Sequence, residues 1–563
     1  MARKLFRNTE FAHSSHYGVT QERAATHPHR IVILASLWLA SAGNVALWRA
    51  LLALPELGNT RGLVFCIAFA LMIAAVTCAL LALLTWRWTL KPALTLLLFA
   101  AAAGAHYMLA YGIVIDTTMM VNVLQTDLRE VRDLLGWQLL LTLFILALLP
   151  TVWLWRHPVR RVPLLRGLWQ NAVLFVASLT LLALLLFAVF QDFASLMRNH
   201  IQLRYLINPL NSLYALGEIA AKPFERSAGP AQPIGLDARL GASHARPGKP
   251  PLLVLVLGET ARAANFGING YSRDTTPELA RERIASWRNA WSCGTSTASS
   301  LPCMFSHLGR EAFEARGNDY QGLIDVLDQA GLAVLWLDNQ SGCKGLCDRI
   351  ASVNTRTLTH PTLCKDGECL DQIMLDGLDA RIQALDPARR QRGVVLVMHQ
   401  MGSHGPAYYR RSPPAFKRFL PECTSNALQD CSREQVINAY DNTIAYTDHF
   451  LHGVIQWLKV REAGNATAML YLSDHGESLG ENNLYLHGLP YAIAPDVQKH
   501  VPWNTWFSPS FEQRRGIALP CVQARSGERV SHDNFFHSVL GLLDVQTGVY
   551  QRALDPYANC YRS

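Results

Sequence analysis

Apolar positions are spread unevenly along the chain. Up to about residue 200, Leu, Ala, Val and Phe fill long unbroken stretches; after about residue 245 they come in short runs among polar and charged residues. Five early stretches, at about 31–54, 63–86, 94–115, 137–155 and 168–190, are long enough to cross a bilayer as helices. They lack the polar face that a helix of a soluble bundle keeps for water, so membrane spans are predicted. A cleaved signal peptide is disfavoured for the first, because a long polar tail precedes it and more spans follow. Beyond a linker rich in Pro, Gly and Ala (about 221–251), residues 252–257 form a continuous apolar run without alternation, the pattern of a strand buried on both faces. Similar runs occur at 333–337, 394–398 and 468–472, with helical patterns such as 438–459 between them. Strands alternating with helices predict a mostly parallel sheet. The expected organisation is a transmembrane domain of five helices over 1–200, a bridging segment over 201–250 and an α/β/α catalytic domain over 251–563.

Charge sets the orientation. Arg3, Lys4, Arg7, Arg23 and Arg30 precede the first span, Arg87 and Lys91 follow the second, and Arg156, Arg160, Arg161 and Arg166 follow the fourth. All fall on one side, which the Lys/Arg rule assigns to the cytoplasm. The loop after the third span sets Asp116, Asp127, Glu130 and Asp133 against Arg129 and Arg132. Everything after about residue 195 is therefore expected on the opposite, outer side of the membrane. The formal charge of +8 is not read as a nucleic-acid signal, since no basic cluster interleaved with aromatics stands out.

The 12 cysteines agree with that topology. Cys66 and Cys78 lie inside the second span and are expected to be free. The other ten follow residue 290, and by proximity they suggest disulfides Cys293/Cys303, Cys343/Cys347, Cys364/Cys369 and Cys423/Cys431, with Cys521 and Cys560 remaining as the fifth pair. Zinc-finger ligation is disfavoured, because the Cys pairs lack His at finger spacing.

Each predicted strand runs into chemistry. Residues 252–257 lead to Gly258-Glu259-Thr260; 333–337 to Asp338-Asn339, with Lys344 shortly after; 394–398 to His399 and Gly402-Ser403-His404-Gly405; 468–472 to Ser473-Asp474-His475-Gly476-Glu477. Ligands of open α/β sheets bind beyond the carboxyl ends of the strands, so one rim would collect carboxylates and imidazoles suited to Zn²⁺ and a cation suited to phosphate. The hydroxyl-rich stretch Ser292–Cys303 supplies a candidate nucleophile at a helix N-terminus. A metal would activate its hydroxyl, but composition alone does not choose among Thr295, Ser296, Thr297 and the serines.

Gly258-Glu259-Thr260-Ala261-Arg262, Asn265-Phe266-Gly267, Gly270-Tyr271-Ser272-Arg273, the Ser-Cys-Gly-Thr-Ser-Thr-Ala run from Ser292, Gln400-Met401-Gly402-Ser403-His404-Gly405-Pro406 and Ser473-Asp474-His475-Gly476-Glu477-Ser478 together resemble the lipid A phosphoethanolamine transferase family. That family includes the mobile colistin-resistance enzymes and belongs to the alkaline phosphatase/sulfatase superfamily. The resemblance covers nearly the whole chain. It implies Thr297 as nucleophile, and Glu259, Asp474 and His475 as ligands of one tight Zn²⁺, with Thr297 completing the tetrahedron and a second zinc left open. It implies His404 and His487 as substrate-phosphate or second-zinc residues, and Lys344 with Ser341 as phosphate and substrate contacts. It also implies Asn122, Thr126 and Glu130 as holders of the donor head group, and their spacing of four predicts one helical face.

The expected reaction moves phosphoethanolamine from phosphatidylethanolamine to a phosphate of lipid A through a threonyl intermediate. This lowers surface negative charge and gives resistance to polymyxin and other cationic peptides. The same chemistry on a core sugar or Kdo of lipopolysaccharide is the alternative acceptor reading, and a glycerophosphate donor the alternative donor reading. A degenerate, non-catalytic sensor is disfavoured because no ligand or nucleophile is missing. A sulfatase is disfavoured because Cys303 is followed by Met-Phe-Ser-His rather than a Pro-x-Arg context. Lipids are the expected partners, and the chain is expected to act as a monomer.

Overall fold

The computed structural model describes residues 25–126, 128–225 and 230–562. Arg3, Lys4, Arg7, Arg23 and Asp127, used above for orientation, lie outside the described residues. The chain divides into two compact units, one made of Met1–Thr117 with Leu135–Gly217 and the other of Thr118–Leu134 with Glu218–Ser563.

In chain order the first helices are α1 (Pro28–Leu52), α2 (Thr60–Leu83), α3 (Leu90–Tyr111), α4 (Thr117–Gln125), α5 (Leu128–Leu134), α6 (Trp137–Arg156) and α7 (Leu164–Ala188). The five longest, α1, α2, α3, α6 and α7, are long and apolar enough to cross a membrane, as the hydrophobic pattern predicted. Their outward faces stay apolar, for example Leu96, Leu165 and Phe187, which suits lipid as the surrounding medium. Irregularities in these helices have local causes. Pro150 cannot donate to the Leu146 carbonyl, α6 opens into a π turn over Phe144–Leu148, and the Trp38 indole donates to the freed Leu146 carbonyl at 3.2 Å. Where α1 tightens at Ala42–Asn44, the Asn44 amide donates to the Leu39 carbonyl at 2.8 Å.

The predicted transmembrane block over 1–200 is interrupted. Thr118–Leu134 groups with the second unit instead, and Asp133 pairs there with Arg410 and Arg411, at 2.9 and 3.1 Å. The predicted single helical face of Asn122, Thr126 and Glu130 is also broken. Helix α4 ends at Gln125, the Thr126 hydroxyl donates to the Asn122 carbonyl at 2.7 Å, and Glu130 stands on the separate helix α5. A Thr side chain that competes for a helix carbonyl favours such an ending.

The second unit is built on an eight-stranded sheet. Its strands are β1 (Pro251–Gly258), β2 (Ile284–Trp291), β3 (Ala333–Asp338), β4 (Ala351–Asn354), β5 (Val394–His399), β6 (Ala466–Ser473), β7 (His500–Phe507) and β8 (Val530–Ser531). They are ordered β8-β2-β7-β6-β1-β5-β3-β4. Only β7 runs antiparallel to its neighbours β2 and β6. The four strands read from sequence are the contiguous centre, β6-β1-β5-β3, and all of β1 is buried. Leu253, Leu255 and Leu257 face one core, while Leu252, Val254 and Val256 face the other. That two-sided burial is why the central strands carry no polar alternation. The predicted helix over 438–459 is the middle of α9 (Arg433–Arg461), which starts at a Ser432/Gln435 capping box.

Candidate active site and metal centre

The carboxyl ends of β1, β6, β5 and β3 deliver Glu259, Asp474 with His475, His399 with His404, and Asp338 with Lys344 to one rim. Glu259, Asp474 and His475 are fully buried, and one donor atom of each lies within 4.8 Å of the others. His475 Nε2 stands 3.4 Å from Glu259 Oε1 and 3.4 Å from Asp474 Oδ2. Thr297 Oγ1 lies 2.9 and 3.1 Å from the two Glu259 oxygens and 3.5 Å from His475 Nε2. Thr297 is the first residue of α8 (Thr297–Met304), the helix start expected for the nucleophile, and the Cys293–Cys303 disulfide brackets it.

The turn after β1 is held by tertiary contacts. Thr260 adopts φ +60°, its hydroxyl donates to Glu259 Oε1 at 2.7 Å, and its N–H donates to Asp474 Oδ1 at 3.1 Å. The Tyr440 hydroxyl on α9 donates to the Thr260 carbonyl at 2.7 Å and accepts the Arg262 N–H at 2.9 Å. Such a backbone persists for a non-glycine residue only where its surroundings over-determine it. Gly402 is required on the facing loop: its φ is +52°, and a Cβ there would come within 2.7 Å of the Glu259 carbonyl.

The three acidic and imidazole groups fit a cation. His475 Nδ1 faces the Gly476 carbonyl at 2.9 Å and donates to it. Burial works against a charged ring, but Asp474 and Glu259 outweigh it and raise His475 to about 10, so Nε2 is the nitrogen at which a cation would take the place of that proton. Asp474 Oδ2 has no hydrogen-bond partner among the described residues although it is buried. Burial, and then the charge of Glu259, push the Asp474 carboxyl up to about 6. Burial also works against the charged Glu259, but hydrogen bonding and charge from His475 hold its carboxyl well below the usual range. The two carboxylates and His475 Nε2 make a donor set of O, O and N, and the Thr297 hydroxyl is a fourth; tetrahedral Zn²⁺ accepts such a set. Two other groupings, Cys293/Cys303/Asp533 and Cys343/Cys347/Asp348, do not qualify, because their sulfurs are joined in disulfides.

The structure brings other expected residues alongside. The His487 ring centroid is 4.2 Å from that of His475 and 5.9 Å from that of His404. His404 Nε2 is 3.7 Å from Glu130 Oε1, and its buried Nδ1 has no partner among the described residues. Burial, reinforced by His487 and Arg411 against the pull of Glu259, lowers His404 to about 3, so its imidazole is neutral. Gly488 has φ +91°, and a Cβ there would reach within 2.4 Å of Met119 Cε on α4, so the loop bearing His487 is in close contact with that helix. Lys344 and Ser341 sit on the same rim but bond to each other, Nζ to Oγ at 3.1 Å, rather than to the Glu259 cluster. Asn122 stands on α4 and Thr126 just past its end, whereas Glu130 stands on α5.

Several neighbours stand in the strand-end motifs but had no role assigned from sequence. Glu477 is buried, and its Oε1 lies 3.2 Å from His487 Nδ1; the Ser473–Ser478 motif that contains it was the available signal. Asp338 pairs with buried His399 at 3.1 Å beneath the rim. The ten later cysteines form Cys293–Cys303, Cys343–Cys347, Cys364–Cys369, Cys423–Cys431 and Cys521–Cys560, and Cys66 and Cys78 are free.

Known proteins share this plan. Residues 251–545 match the family described as Sulfatase, and residues 73–224 the family described as Phosphoethanolamine transferase EptA/EptB. Phosphoethanolamine transferase EptA of Salmonella typhimurium is 38% identical over 94% of this chain and 96% of its own length. Phosphatidylethanolamine transferase Mcr-1 of Escherichia coli is 36% identical over 93% and 96%. The solved structure of the integral membrane lipooligosaccharide phosphoethanolamine transferase A of Neisseria meningitidis superposes with a TM-score of 0.89 at 34% identity, covering 95% of this chain and 99% of that one. The five spans, the sulfatase-like sheet and the full-length similarity lead to one conclusion: the chain belongs to the phosphoethanolamine transferase family.

Proposed function

We propose that this chain is a zinc-dependent phosphoethanolamine transferase of the bacterial inner membrane, with its catalytic unit in the periplasm. It takes phosphoethanolamine from phosphatidylethanolamine and gives it to a phosphate of lipid A. The observation that carries the reading is the Thr297 hydroxyl at a helix start, within 3.5 Å of both the Glu259 carboxylate and His475 Nε2. The similarity to named transferases along the whole chain supports the donor, and that to a lipooligosaccharide enzyme supports the acceptor. Five disulfides and the Lys/Arg asymmetry support the periplasmic side.

Zinc, when bound by Glu259, Asp474, His475 and Thr297 Oγ1, would lower the pKa of the hydroxyl and offset charge on the phosphate oxygens. The Thr297 hydroxyl, which lies 2.9 Å from Glu259, would lose its proton to solvent in the metal-bound site, and its oxygen attacks the donor phosphorus. The bond to the diacylglycerol oxygen breaks, leaving a threonyl phosphodiester. An oxygen of the lipid A phosphate then attacks the same phosphorus, the proton of that acceptor oxygen passes to the imidazole that protonated diacylglycerol, and the Thr297 oxygen leaves. Neutral His404 suits hydrogen bonding to the phosphate rather than proton delivery. His487, held by Glu477, is the group that protonates the departing diacylglycerol oxygen. Lys344 and Ser341 offer further contacts to the phosphate, and Asn122, Thr126 and Glu130 receive the cationic head group. Ethanolamine on lipid A reduces surface charge and the attraction of polymyxin.

The test is expression of the chain and a Thr297→Ala variant in a Gram-negative host that lacks such enzymes. The native chain is expected to add a phosphoethanolamine mass to lipid A and the variant to add none. Modification of Kdo or core sugar alone would replace the acceptor, and unmodified lipid with no diacylglycerol release would defeat the transferase reading.

A further inference from the structure

The α5 helix carries two contacts to the loop that bears His404, and only one of them is explained by head-group binding. Glu130 faces the His404 imidazole at 3.7 Å. Asp133, three residues on and therefore on the same helical face, reaches a different part of that loop. Its Oδ1 accepts from Arg410 Nη1 at 2.9 Å and its Oδ2 from Arg411 Nη2 at 3.1 Å. The Asn426 amide donates to the Asp133 carbonyl at 2.7 Å. Arg411 continues the chain of contacts: its Nη1 donates to Glu368 at 2.7 Å and its Nε to the backbone carbonyl of His404 at 3.0 Å. The Asp133 and Arg411 side chains are 6% and 4% exposed, while that of Arg410 is 47% exposed. One buried carboxylate, 278 residues away in sequence, thus holds the guanidinium that fixes the main chain of His404.

We propose that Asp133 is a positioning residue of the transfer reaction: by clamping Arg410 and Arg411 it seats α5 on the catalytic loop, so that Glu130 and the His404 imidazole meet. This rests on the function proposed above. The charge balance argues for orientation rather than mere stability. Without Asp133, Arg411 keeps Glu368 and Arg410 returns to water, so no orphaned buried charge remains to unfold the unit. What is lost is the register between α5 and the His404 loop. The Glu130–His404 contact is then no longer held in place, and mutating Glu130 should matter less.

The experiment uses the full chain in mixed micelles with a fluorescent phosphatidylethanolamine, and follows release of fluorescent diacylglycerol. Asp133→Asn should lower kcat/KM about tenfold or more, with zinc content and melting temperature unchanged, and Asp133→Glu should recover part of the loss. Glu130→Gln added to Asp133→Asn should cost far less than the product of the single losses. Hydrogen exchange should quicken in 128–134 and in 402–411 together. Arg410→Gln should shift all readouts in the same direction by less, and it serves if Asp133→Asn folds poorly. Wild-type kcat/KM in Asp133→Asn, fully multiplicative losses, or unchanged exchange in 402–411 would overturn the proposal. If the native chain itself releases no diacylglycerol, the function above fails, and exchange alone decides whether the clamp exists.

Discussion

Glu477 shows how a single side chain conditions the chemistry. It is buried beside His487 and carries no other assigned task, and the hydrogen bond between them fixes which ring nitrogen faces the substrate side. Partners behind a catalytic or ligating imidazole typically carry a 10–100-fold effect, so Glu477→Gln should lower kcat by about that factor. Bound zinc should remain near the native amount, because Glu477 lies outside the Glu259/Asp474/His475 set. Metal analysis alongside kinetics checks both parts; loss of zinc in step with activity would instead make Glu477 part of the metal centre.

At the scale of elements, strands set direction and helices set reach. Helix α10 (Phe535–Leu542) packs wholly buried, and its His537 Nδ1 accepts the Gln551 N–H at 3.1 Å, which only an unprotonated nitrogen does. Burial, and then His307, lower His537 to about 4. The unfolded chain binds this proton near the ordinary histidine value of about 6.5, and the folded chain resists it. The contribution of His537 is therefore complete above about 6.5 and is lost as pH falls toward about 4. Melting curves across that window should show a shallower acid-side decline in His537→Gln, whose side-chain oxygen also accepts from Gln551. An identical decline in both proteins would remove His537 as its source.

For the whole molecule, the two units respond to different forces. Spans with outward apolar faces are held by lipid or detergent, whereas the sheet unit closes around a buried pair of carboxylates that repel without a cation. Ligand linkage gives about 4 kcal/mol when free metal exceeds its Kd 1,000-fold. Chelation should accordingly lower the melting transition of the sheet unit and leave helix content of the spans in place, and added Zn²⁺ should restore it. Calorimetry with and without chelator is the check, and an unshifted transition in protein shown to be metal-free would contradict the cation fit.

Much was legible in the sequence where the physical requirement is local. Unbroken apolar length gave the five spans, and two-sided burial gave β1, β3, β5 and β6. Strand-end motifs brought Glu259, Asp474 and His475 to one rim, and the family resemblance singled out Thr297 among several hydroxyls. The flanking strands β2 and β7 escaped notice because they mix Trp, Asn, Thr and Ser and so lack the uniform apolar run of the centre. The break at Thr126 escaped because a spacing of four reads as one face until a side chain takes a helix carbonyl. The pairing of Asp133 with Arg410 and Arg411 was invisible because contacts between distant charges have no periodicity. The sequence by itself determined which segments seek lipid, which are buried on both faces and which residue types meet at strand ends, since solvation and strand geometry act residue by residue. The tertiary structure alone decided the register of α5 on the His404 loop, the neutral state of His404 and the seat of His487, since burial and charge pairing exist only once distant segments have met.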